Sequence, residues 1–235
     1  MQGDFFSRTR LLYGDEAMER LKNSHVAVFG LGGVGGYVAE ALARAGIGSL
    51  TLVDSDSISI SNLNRQILAT CDTIGKDKVE VAAGRIISIN PDCRIYARKV
   101  FFLPENSSSF DFSLYDYVVD AVDTVSAKLS IIEASKEAGT RVISCMGAGN
   151  KVHPELFRVS DIYDTKVCPL AKVMRRELRK RGIESLKVVY SEEEPLRPME
   201  QLSENGRHLP GSSPFAPAAA GIILSSVVVN ELAQI

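Results

Sequence analysis

The sequence predicts an α/β fold in which a doubly wound, mainly parallel sheet carries helices on both faces. Short apolar runs rich in β-branched residues alternate with segments of helical periodicity, as in repeated β-α units. The first run, residues 26–30, leads into a glycine-rich turn that opens a helical segment. With 235 residues, 45% apolar side chains and a net charge of −2, the chain can bury an ordinary core, and its overall charge favours no class of partner.

The predicted elements follow one another in the order that this fold requires. Residues 1–24 form a lead-in, with a helix that begins after Asp15. Strands are then predicted at 26–30, 49–54, 94–99, 117–121 and 141–145, and helices at 34–45, 76–90 and 126–138. The helix at 76–90, which stops before Pro91, is predicted to bury one face made of Val79, Ala83, Ile86 and Ile87.

Residues 1–150 are predicted to form the core with its helical lead-in, and residues 151–235 an extension of the same globule. The extension holds short strands at 156–159 and 186–190 and a helix at 170–181. Its final stretch, 215–235, is apolar but interrupted by polar side chains, so it predicts a core or dimer-contact helix rather than a stable membrane insertion. The chain opens without a basic start and an apolar run, so a cytoplasmic protein is expected.

The glycine-rich turn predicts a nucleotide site. Gly30, Gly32 and Gly35 fit the GxGxxG pattern of a Rossmann-like fold, and Gly33 lies between them. Glycine permits positive φ and a close approach of the backbone to a ligand, and the following helix N-terminus favours phosphate. Asp54, at the end of the second strand, occupies the position at which an acidic residue normally accepts a hydrogen bond from a ribose hydroxyl. The identity of the nucleotide stays open at this point.

The polar residues beyond the second strand favour a triphosphate over a dinucleotide. Arg65 can form forked, charge-assisted bonds to phosphate oxygens, and Asn62 can hold neighbouring ones. Lys78 adds a second positive charge as a mobile point donor, although either cation alone could be a surface charge. A hydride-transfer site has no need of this set. The residues predicted to bind the nucleotide in this region are Asp54, Asp56, Ser61, Asn62, Asn64, Arg65, Gln66 and Lys78.

Five motifs that occur in order resemble the ubiquitin-activating-enzyme-like superfamily, whose prokaryotic members adenylate a carboxylate with ATP. They are the segments 30–35, 52–56, 61–66, 75–78 and 120–123. Within that superfamily, the segments 7–9, 157–161 and 168–171 and the basic helix resemble the tRNA threonylcarbamoyladenosine dehydratase branch. This resemblance covers nearly the whole chain and implies a Rossmann-like sheet of the ubiquitin-activating-enzyme type.

The resemblance also implies roles for particular residues. Asp123, followed by Thr124, matches the position that holds the Mg²⁺ of ATP, and a carboxylate beside triphosphate oxygens suits that hard cation; a helix cap is the alternative. Arg8 is expected to reach into the nucleotide site of the neighbouring subunit of a homodimer, with Arg10 as a competitor. A monovalent cation, Na⁺ or K⁺, is a further candidate near residues 147–149.

The activity that the resemblance implies is ATP-dependent dehydration of N6-threonylcarbamoyladenosine in tRNA. The threonine carboxylate would become an acyl-adenylate, and the ureido group of the substrate would then close on it, so that pyrophosphate and AMP are released. A cysteine-desulfurase or sulfur-acceptor system is a candidate partner. No general base is needed for the first step, because the attacking carboxylate is already ionised.

The cysteines give two further expectations. The four cysteines contain no CxxC pair, so the chain cannot build the zinc site of many bacterial relatives, and disulfides are not expected in a cytosolic enzyme. Cys168 lies in a polar loop, where some relatives use a cysteine as an acyl or persulfide carrier.

Residues 166–187 carry eight Lys or Arg and two Glu, which predicts either a solvated helix face or a footprint for RNA phosphates. The resemblance favours RNA. Two other functions stay open. One is adenylation of the C-terminus of a small sulfur-carrier protein, which the missing zinc cysteines and the basic helix disfavour. The other is an NAD-dependent dehydrogenase or a non-catalytic Rossmann module, which residues 61–66 disfavour.

Overall fold

The computed structural model describes residues 5–200, 203–204 and 207–235. Its strands are β1 (His25–Phe29), β2 (Ser49–Val53), β3 (Arg94–Arg98), β4 (Tyr117–Asp120), β5 (Arg141–Cys145), β6 (Phe157–Asp161), β7 (Lys187–Ser191), β8 (Ser203–Glu204) and β9 (Arg207–His208). Its helices are α1 (Ser7–Asn23), α2 (Gly35–Ala45), α3 (Lys78–Ile89), α4 (Val125–Glu137), α5 (Pro169–Lys180) and α6 (Ala216–Ala233).

One seven-stranded sheet, in the order β3-β2-β1-β4-β5-β7-β6, forms the centre of the molecule. Its neighbouring strands are parallel except for β6, which runs antiparallel to β7. The predicted α/β fold with a mainly parallel sheet is thereby confirmed. The strands β6 and β7, from the C-terminal part of the chain, continue this sheet, while β8 and β9 pair only with each other, as a hairpin that the sequence did not predict.

Helices cover both faces of the sheet. One core lies between the sheet and α1, α2, α3 and α6, and the other lies between the sheet and α4 and α5. At Gly221 helix α6 touches the beginning of α2, because a Cβ there would lie 2.6 Å from the carbonyl oxygen of Val34. Helix α6 therefore packs directly against the residues that join the glycine-rich turn to α2.

Two details of the helices differ from the predictions. Helix α3 buries Val79, Ala82 and Ile86, whereas the predicted Ile87 is 45% exposed and Ala83 is only half-buried. Positions 79, 82 and 86 form one stripe at helical spacing, and position 87 falls outside it. Helix α1 begins at Ser7, well before the predicted start, and is kinked where Gly14 has a φ of 78°.

By length and composition alone, α6 could cross a membrane. In the fold, however, 56% of its 18 residues are buried. Its buried side chains pack on α2 and α1 in the larger core, as the prediction of a core helix requires.

Candidate functional site

A large cavity lies at the carboxyl ends of the parallel strands, where the strand order reverses between β1 and β4. Ligands of open α/β sheets bind at such a point. The cavity has a volume of about 1010 Å³. Loops that follow all five of the consecutive parallel strands β1 to β5 contribute to its wall.

The glycine-rich turn forms the floor of the cavity and needs its glycines for two different reasons. Gly30 has a φ of 86°, and a Cβ there would lie 2.7 Å from the carbonyl oxygen of Ala121. A Cβ on Gly35 would lie 1.7 Å from the carbonyl oxygen of Gly30, so Gly35 lets α2 pack under the turn. Gly30, Gly32 and Gly33 line the cavity; Gly35, predicted to bind the ligand, does not.

The N-terminus of α2 opens toward this cavity. No side chain caps the helix, and no acidic residue occupies its first turn. The first backbone N–H groups of a helix have no partner within it, and the helix dipole adds a partial positive charge there. The turn is therefore suited to an anionic group such as phosphate.

Asp54 fixes the backbone around the turn. One oxygen of its carboxylate accepts the N–H of Leu31 at 2.6 Å, and the other accepts the N–H of Asp56 at 2.8 Å. The side chain is 9% exposed, and it lines the cavity. The residue predicted to meet a ribose thus also holds the ends of β1 and β2 in register.

Lys78 is not the mobile donor that the sequence suggested. Its side chain is 6% exposed, and its Nζ lies 2.7 Å from Asp56 and 3.7 Å from Asp54. Because Lys78 is the first residue of α3, packing of that helix fixes where the side chain starts. The ammonium is consequently held at the cavity wall before any ligand arrives.

The segment 59–66 supplies a second cation and several amides. Arg65 is half-buried and donates to the carbonyl of Ser61 at 2.7 Å and to Asn64 at 2.9 Å. The side chain of Asn62, predicted to bind phosphate, accepts the N–H of Ser59 and so closes its own turn. Asn64 donates to the carbonyl of Ser212 at 3.0 Å. These two amides therefore shape the wall as well as line it.

Gln66 has an unmatched hydrogen-bonding group. It is 7% exposed, and its Oε1 is buried with no hydrogen-bond partner among the described residues. Gln66 lines the cavity, and its Nε2 lies 3.9 Å from where a Cβ on Gly32 would be. A buried acceptor without a partner is costly, and this one lies in a residue of the cavity wall.

The loop after β4 carries the predicted metal ligand. Asp123 is exposed, Thr124 is half-buried beside it, and both line the cavity. Among the described residues no group of three or more His, Cys, Asp or Glu could hold a metal ion. A single carboxylate still suits Mg²⁺, which proteins bind through one or two carboxylates together with substrate phosphates.

Most of the predicted site residues meet in this cavity, and some of its residues were not predicted. Arg8 is exposed on α1 and is absent from the described lining, and its action on a neighbouring subunit stays a prediction. Sequence reasoning missed residues 100–102, after β3, and residues 209–212, which cross the cavity mouth between Asn64 and Asn150. The rule on carboxyl ends of parallel strands could have identified the first group.

Cys168 is a poor carrier thiol in this structure. It is 1% exposed and precedes the first residue of α5, packed in the smaller core. Its neighbour Cys145 is also buried, and burial raises the pKa of that thiol to about 12. Only Cys71 of the four cysteines is exposed.

These features define a nucleotide-binding α/β protein. Its sheet is mainly parallel, and a glycine turn, a helix N-terminus and two cations lie where the strand order reverses. The chain belongs to the ThiF family, whose model matches residues 6–205. It is 41% identical to the tRNA threonylcarbamoyladenosine dehydratase of Bacillus subtilis, over 97% of this chain and 94% of that protein. The enzyme of that name from Escherichia coli is 40% identical, over 74% of this chain and 65% of the relative.

Solved structures show the same likeness. The chain matches the E. coli tRNA N6-threonylcarbamoyladenosine dehydratase TcdA in complex with ATP, with a TM-score of 0.89 and 33% identity. The match covers 97% of this chain and 93% of that one. A more partial relative is the sulfur carrier protein adenylyltransferase of Thermus thermophilus, 36% identical over 55% of this chain and 48% of that protein.

Proposed function

We propose that this chain uses ATP to dehydrate N6-threonylcarbamoyladenosine in tRNA to its cyclic form. The observation that carries the proposal is the cavity itself, in which a helix N-terminus, Arg65 and Lys78 provide positive charge around a glycine floor. The B. subtilis relative, which aligns over nearly the whole length of both chains, bears the name of this activity.

The first step forms an acyl-adenylate. An oxygen of the threonine carboxylate attacks the α-phosphorus of ATP, the bond from that phosphorus to the bridging oxygen of the β-phosphate breaks, and pyrophosphate leaves. Two anions must approach each other, so Arg65 and Lys78 lower the barrier by neutralising phosphate charge in a preorganised site. The turn 30–33 and Asp54 anchor the nucleotide.

The second step closes the ring within the substrate. An atom of the ureido group attacks the activated acyl carbon, AMP departs with the former carboxylate oxygen, and the ureido group loses a proton. The elements of water are thereby removed, with their oxygen on AMP. Because the attack is intramolecular, this step requires no enzyme nucleophile.

Mg²⁺ fits this site. When bound, Mg²⁺ supplies charge neutralisation on the triphosphate, and Asp123 would hold it. Next to residues 147–149 the buried ammonium of Lys151 already donates to the carbonyl of Glu193 at 2.6 Å. The carboxylate of Glu193 lies in the same region and accepts the N–H of Val152 at 3.0 Å. A monovalent cation near residues 147–149 stays a prediction.

Mass spectrometry of nucleosides tests the proposal directly. Purified protein is incubated with Mg²⁺, ATP and tRNA that carries N6-threonylcarbamoyladenosine, and the modified nucleoside is expected to lose the mass of one water while AMP accumulates. An unchanged nucleoside mass with ATP intact would refute the function. Omission of ATP is the control for spontaneous closure.

The sulfur-carrier alternative is not favoured. The relative with that activity in its name aligns with just over half of this chain, whereas the dehydratase from B. subtilis aligns with nearly all of it. The chain also lacks a CxxC pair. ATP–pyrophosphate exchange driven by a carrier protein that ends in Gly-Gly, and not by tRNA, would reverse this ranking.

Cys168→Ala is expected to keep kcat within about twofold of the parent. The thiol is buried and the proposed ring closure is intramolecular, so no covalent enzyme intermediate is needed. The measurement is the rate of cyclic nucleoside formation, with Cys71→Ala, which removes the exposed thiol, as the comparison. A loss of more than about 10²-fold in Cys168→Ala, in a protein that still binds ATP, would indicate a carrier thiol.

An apolar patch on α1 supports the proposed homodimer. Leu11 and Leu12 are 86% and 82% exposed, and Phe5 nearby in the chain is also exposed. Exposed apolar side chains of this size next to one another mark interaction surfaces. Arg8 lies in the same helix, while Arg10 forms an ion pair with Asp15 at 2.6 Å. A partner subunit that covers the two leucines would therefore also contact Arg8.

The exposed face of α5 is the proposed contact for the tRNA backbone. Lys172, Arg176 and Lys180, which we call the basic ridge, are exposed and spaced by four residues, so they share one face of the helix. The ridge begins near the cavity wall, because a Cβ on Gly147 would lie 3.8 Å from Leu170. Of the other cations in this region, Arg175 bonds to Thr165 and Lys187 pairs with Glu231 on the far side.

The charge of the basic ridge is only partly compensated. Hydrogen bonds from Lys180, Arg181 and Arg176 lower the pKa of Glu177 to about 2, so this carboxylate stays ionised at every practical assay pH. Glu133 also pairs with Arg181 at 3.1 Å, so two negative charges face three cations, and the cluster keeps a net positive charge that suits phosphates.

Neutralising the basic ridge is expected to raise the KM for tRNA and to flatten its dependence on salt. Each phosphate contact contributes about 0.7–0.9 to the slope of log K against log salt, so Lys172→Gln with Arg176→Gln and Lys180→Gln should lower the slope by about 2. The measurement is KM for tRNA across a series of KCl concentrations. KM for ATP should not change.

The matched control neutralises two exposed lysines elsewhere. Lys22 and Lys136 precede β1 and β5 and therefore lie near the amino ends of the strands, away from the cavity. Lys22→Gln with Lys136→Gln should leave both slope and KM unchanged. Equal effects per neutralised charge in the two variants would show that only net charge matters and that α5 is not the contact.

A further inference from the structure

A fully buried ion pair lies beneath the loop that carries Asp123. The Nζ of Lys128, on α4, lies 2.9 Å from a carboxylate oxygen of Asp120 at the end of β4, and both side chains are 0% exposed. The hydroxyl of Ser144, on the neighbouring strand β5, donates to the same carboxylate oxygen. None of these three side chains was named as a binding or catalytic residue from the sequence, although Asp120 belongs to the motif 120–123.

Both charged groups bond to the backbone of a single residue. Lys128 donates to the carbonyl oxygen of Val122 at 3.0 Å, and Asp120 accepts the N–H of Val122 at 3.2 Å. Val122 immediately precedes Asp123. The backbone N–H of Lys128 also donates to the carbonyl of Thr124 at 3.0 Å, which fixes the other end of the loop to the start of α4.

Stability of the core does not by itself explain such a pair. Burying two charges carries a desolvation penalty, and apolar side chains of similar volume often give equal or greater stability. Apolar side chains could not, however, hold both the N–H and the carbonyl of Val122. What this pair adds to the fold is therefore a fixed peptide next to Asp123.

The same loop is seated on the glycine turn. The N–H of Ala121 donates to the carbonyl of Phe29 at 2.8 Å, and the carbonyl of Ala121 lies where a Cβ on Gly30 would collide with it. Fixing the Val122 peptide consequently sets the position of Asp123 relative to the turn on which phosphates would lie.

We propose that Asp120 and Lys128 are positioning residues that hold Asp123 at the metal-bearing end of the nucleotide. The proposal rests on the proposed function only through Mg²⁺·ATP, and tRNA chemistry plays no part in it. Residues that orient a metal ligand change metal affinity by about 10–100-fold when they are altered. The pair acts on the metal through Asp123 and touches no reacting atom.

The test removes both charges together, because Lys128→Met alone would leave a buried carboxylate without its partner. In Asp120→Asn with Lys128→Met, the far-ultraviolet circular dichroism should stay that of the parent. Amide hydrogen exchange of residues 121–124 should accelerate about tenfold or more. Kd for ATP with Mg²⁺ should rise at least tenfold, and Kd for ATP in EDTA should stay within about twofold.

A double-mutant cycle separates positioning from a general structural effect. In an Asp123→Ala background the same two substitutions should produce no further rise in Kd for Mg²⁺·ATP, since the group that they position is gone. Lys136→Met, a lysine change on the exposed part of α4, is the matched control and should alter neither quantity.

Two results would overturn the proposal: unchanged exchange at residues 121–124, or a full additional loss of affinity in the Asp123→Ala background. Neither depends on whether tRNA is the substrate. A protein that bound Mg²⁺·ATP and responded as expected, but left the tRNA nucleoside unaltered, would keep this inference and lose the proposed function.

Discussion

Lys78→Met is expected to lower the kcat of acyl-adenylate formation by about 10²–10³-fold, the effect of removing one preorganised donor from a developing charge. The ammonium of Lys78 lies at the cavity wall, 6% exposed, and is the more rigidly held of the two cations there. The measurement is the rate of pyrophosphate release under saturating ATP and tRNA. Stability should fall by about 1–3 kcal/mol, because Asp54 and Asp56 lose a charged hydrogen-bond partner.

The control for this prediction is two residues away. Lys76 is exposed and lies outside the described lining of the cavity, so Lys76→Met removes the same charge from the segment just before α3. It should change kcat by less than about twofold, as surface charges usually contribute little. If Lys76→Met and Lys78→Met lost activity equally, the ammonium of Lys78 would have no local role. Lys78→Arg is expected to recover little, because its planar fork does not fit a point-charge position.

The sequence could predict where the site is because its position follows from topology. Parallel strands place their carboxyl ends at one edge, so Gly30 after β1, Asp54 after β2 and Asp123 after β4 had to meet once the β-α repetition was recognised. The chemistry of those side chains then pointed to a nucleotide. Of this reasoning, the α/β fold and the family are confirmed, and the roles of individual residues stay predictions.

What the sequence could not supply is which polar groups bond to one another. Lys78 and Asp56 are 22 positions apart. A β-bridge between Ser57 and Asp77, together with the bond from the N–H of Lys78 to the carbonyl of Asp56 at 3.0 Å, brings their side chains to 2.7 Å. The same holds for Asn64 and Ser212, whose contact brings the segment 209–212 over the cavity. Such contacts depend on three-dimensional packing that periodicity does not encode.

Buried charges were the largest omission. Lys128 lies in a predicted helix, where a lysine is ordinarily on the surface, and its neighbours along the chain do not indicate that it is buried. Its burial follows from Asp120 and Ser144, which lie on two adjacent strands and become its neighbours only through the β4–β5 register. A rule that every lysine is solvated fails at such a position.

Arg8→Ala is expected to reduce kcat by about 10³-fold or more, as loss of an arginine supplied to a phosphoryl-transfer site does. Because Arg8 is absent from the described lining of its own cavity, binding of ATP to the free subunit should change little. The measurement is kcat for cyclic nucleoside formation, alongside Kd for ATP. Arg10→Ala should have a smaller effect, since Arg10 is paired with Asp15.

Mixing two inactive variants then decides whether Arg8 acts across the dimer. In a mixture of Arg8→Ala and Lys78→Met subunits, each mixed dimer has one site with an intact Lys78 that receives an intact Arg8. With random pairing in a two-fold dimer, activity should recover to about one quarter of the parent value. Adding Leu11→Asp and Leu12→Asp to both variants should abolish the recovery, because the apolar patch would no longer bring the subunits together. Recovery that persists in those variants, or none in the original mixture, would show that Arg8 does not serve a partner through this surface.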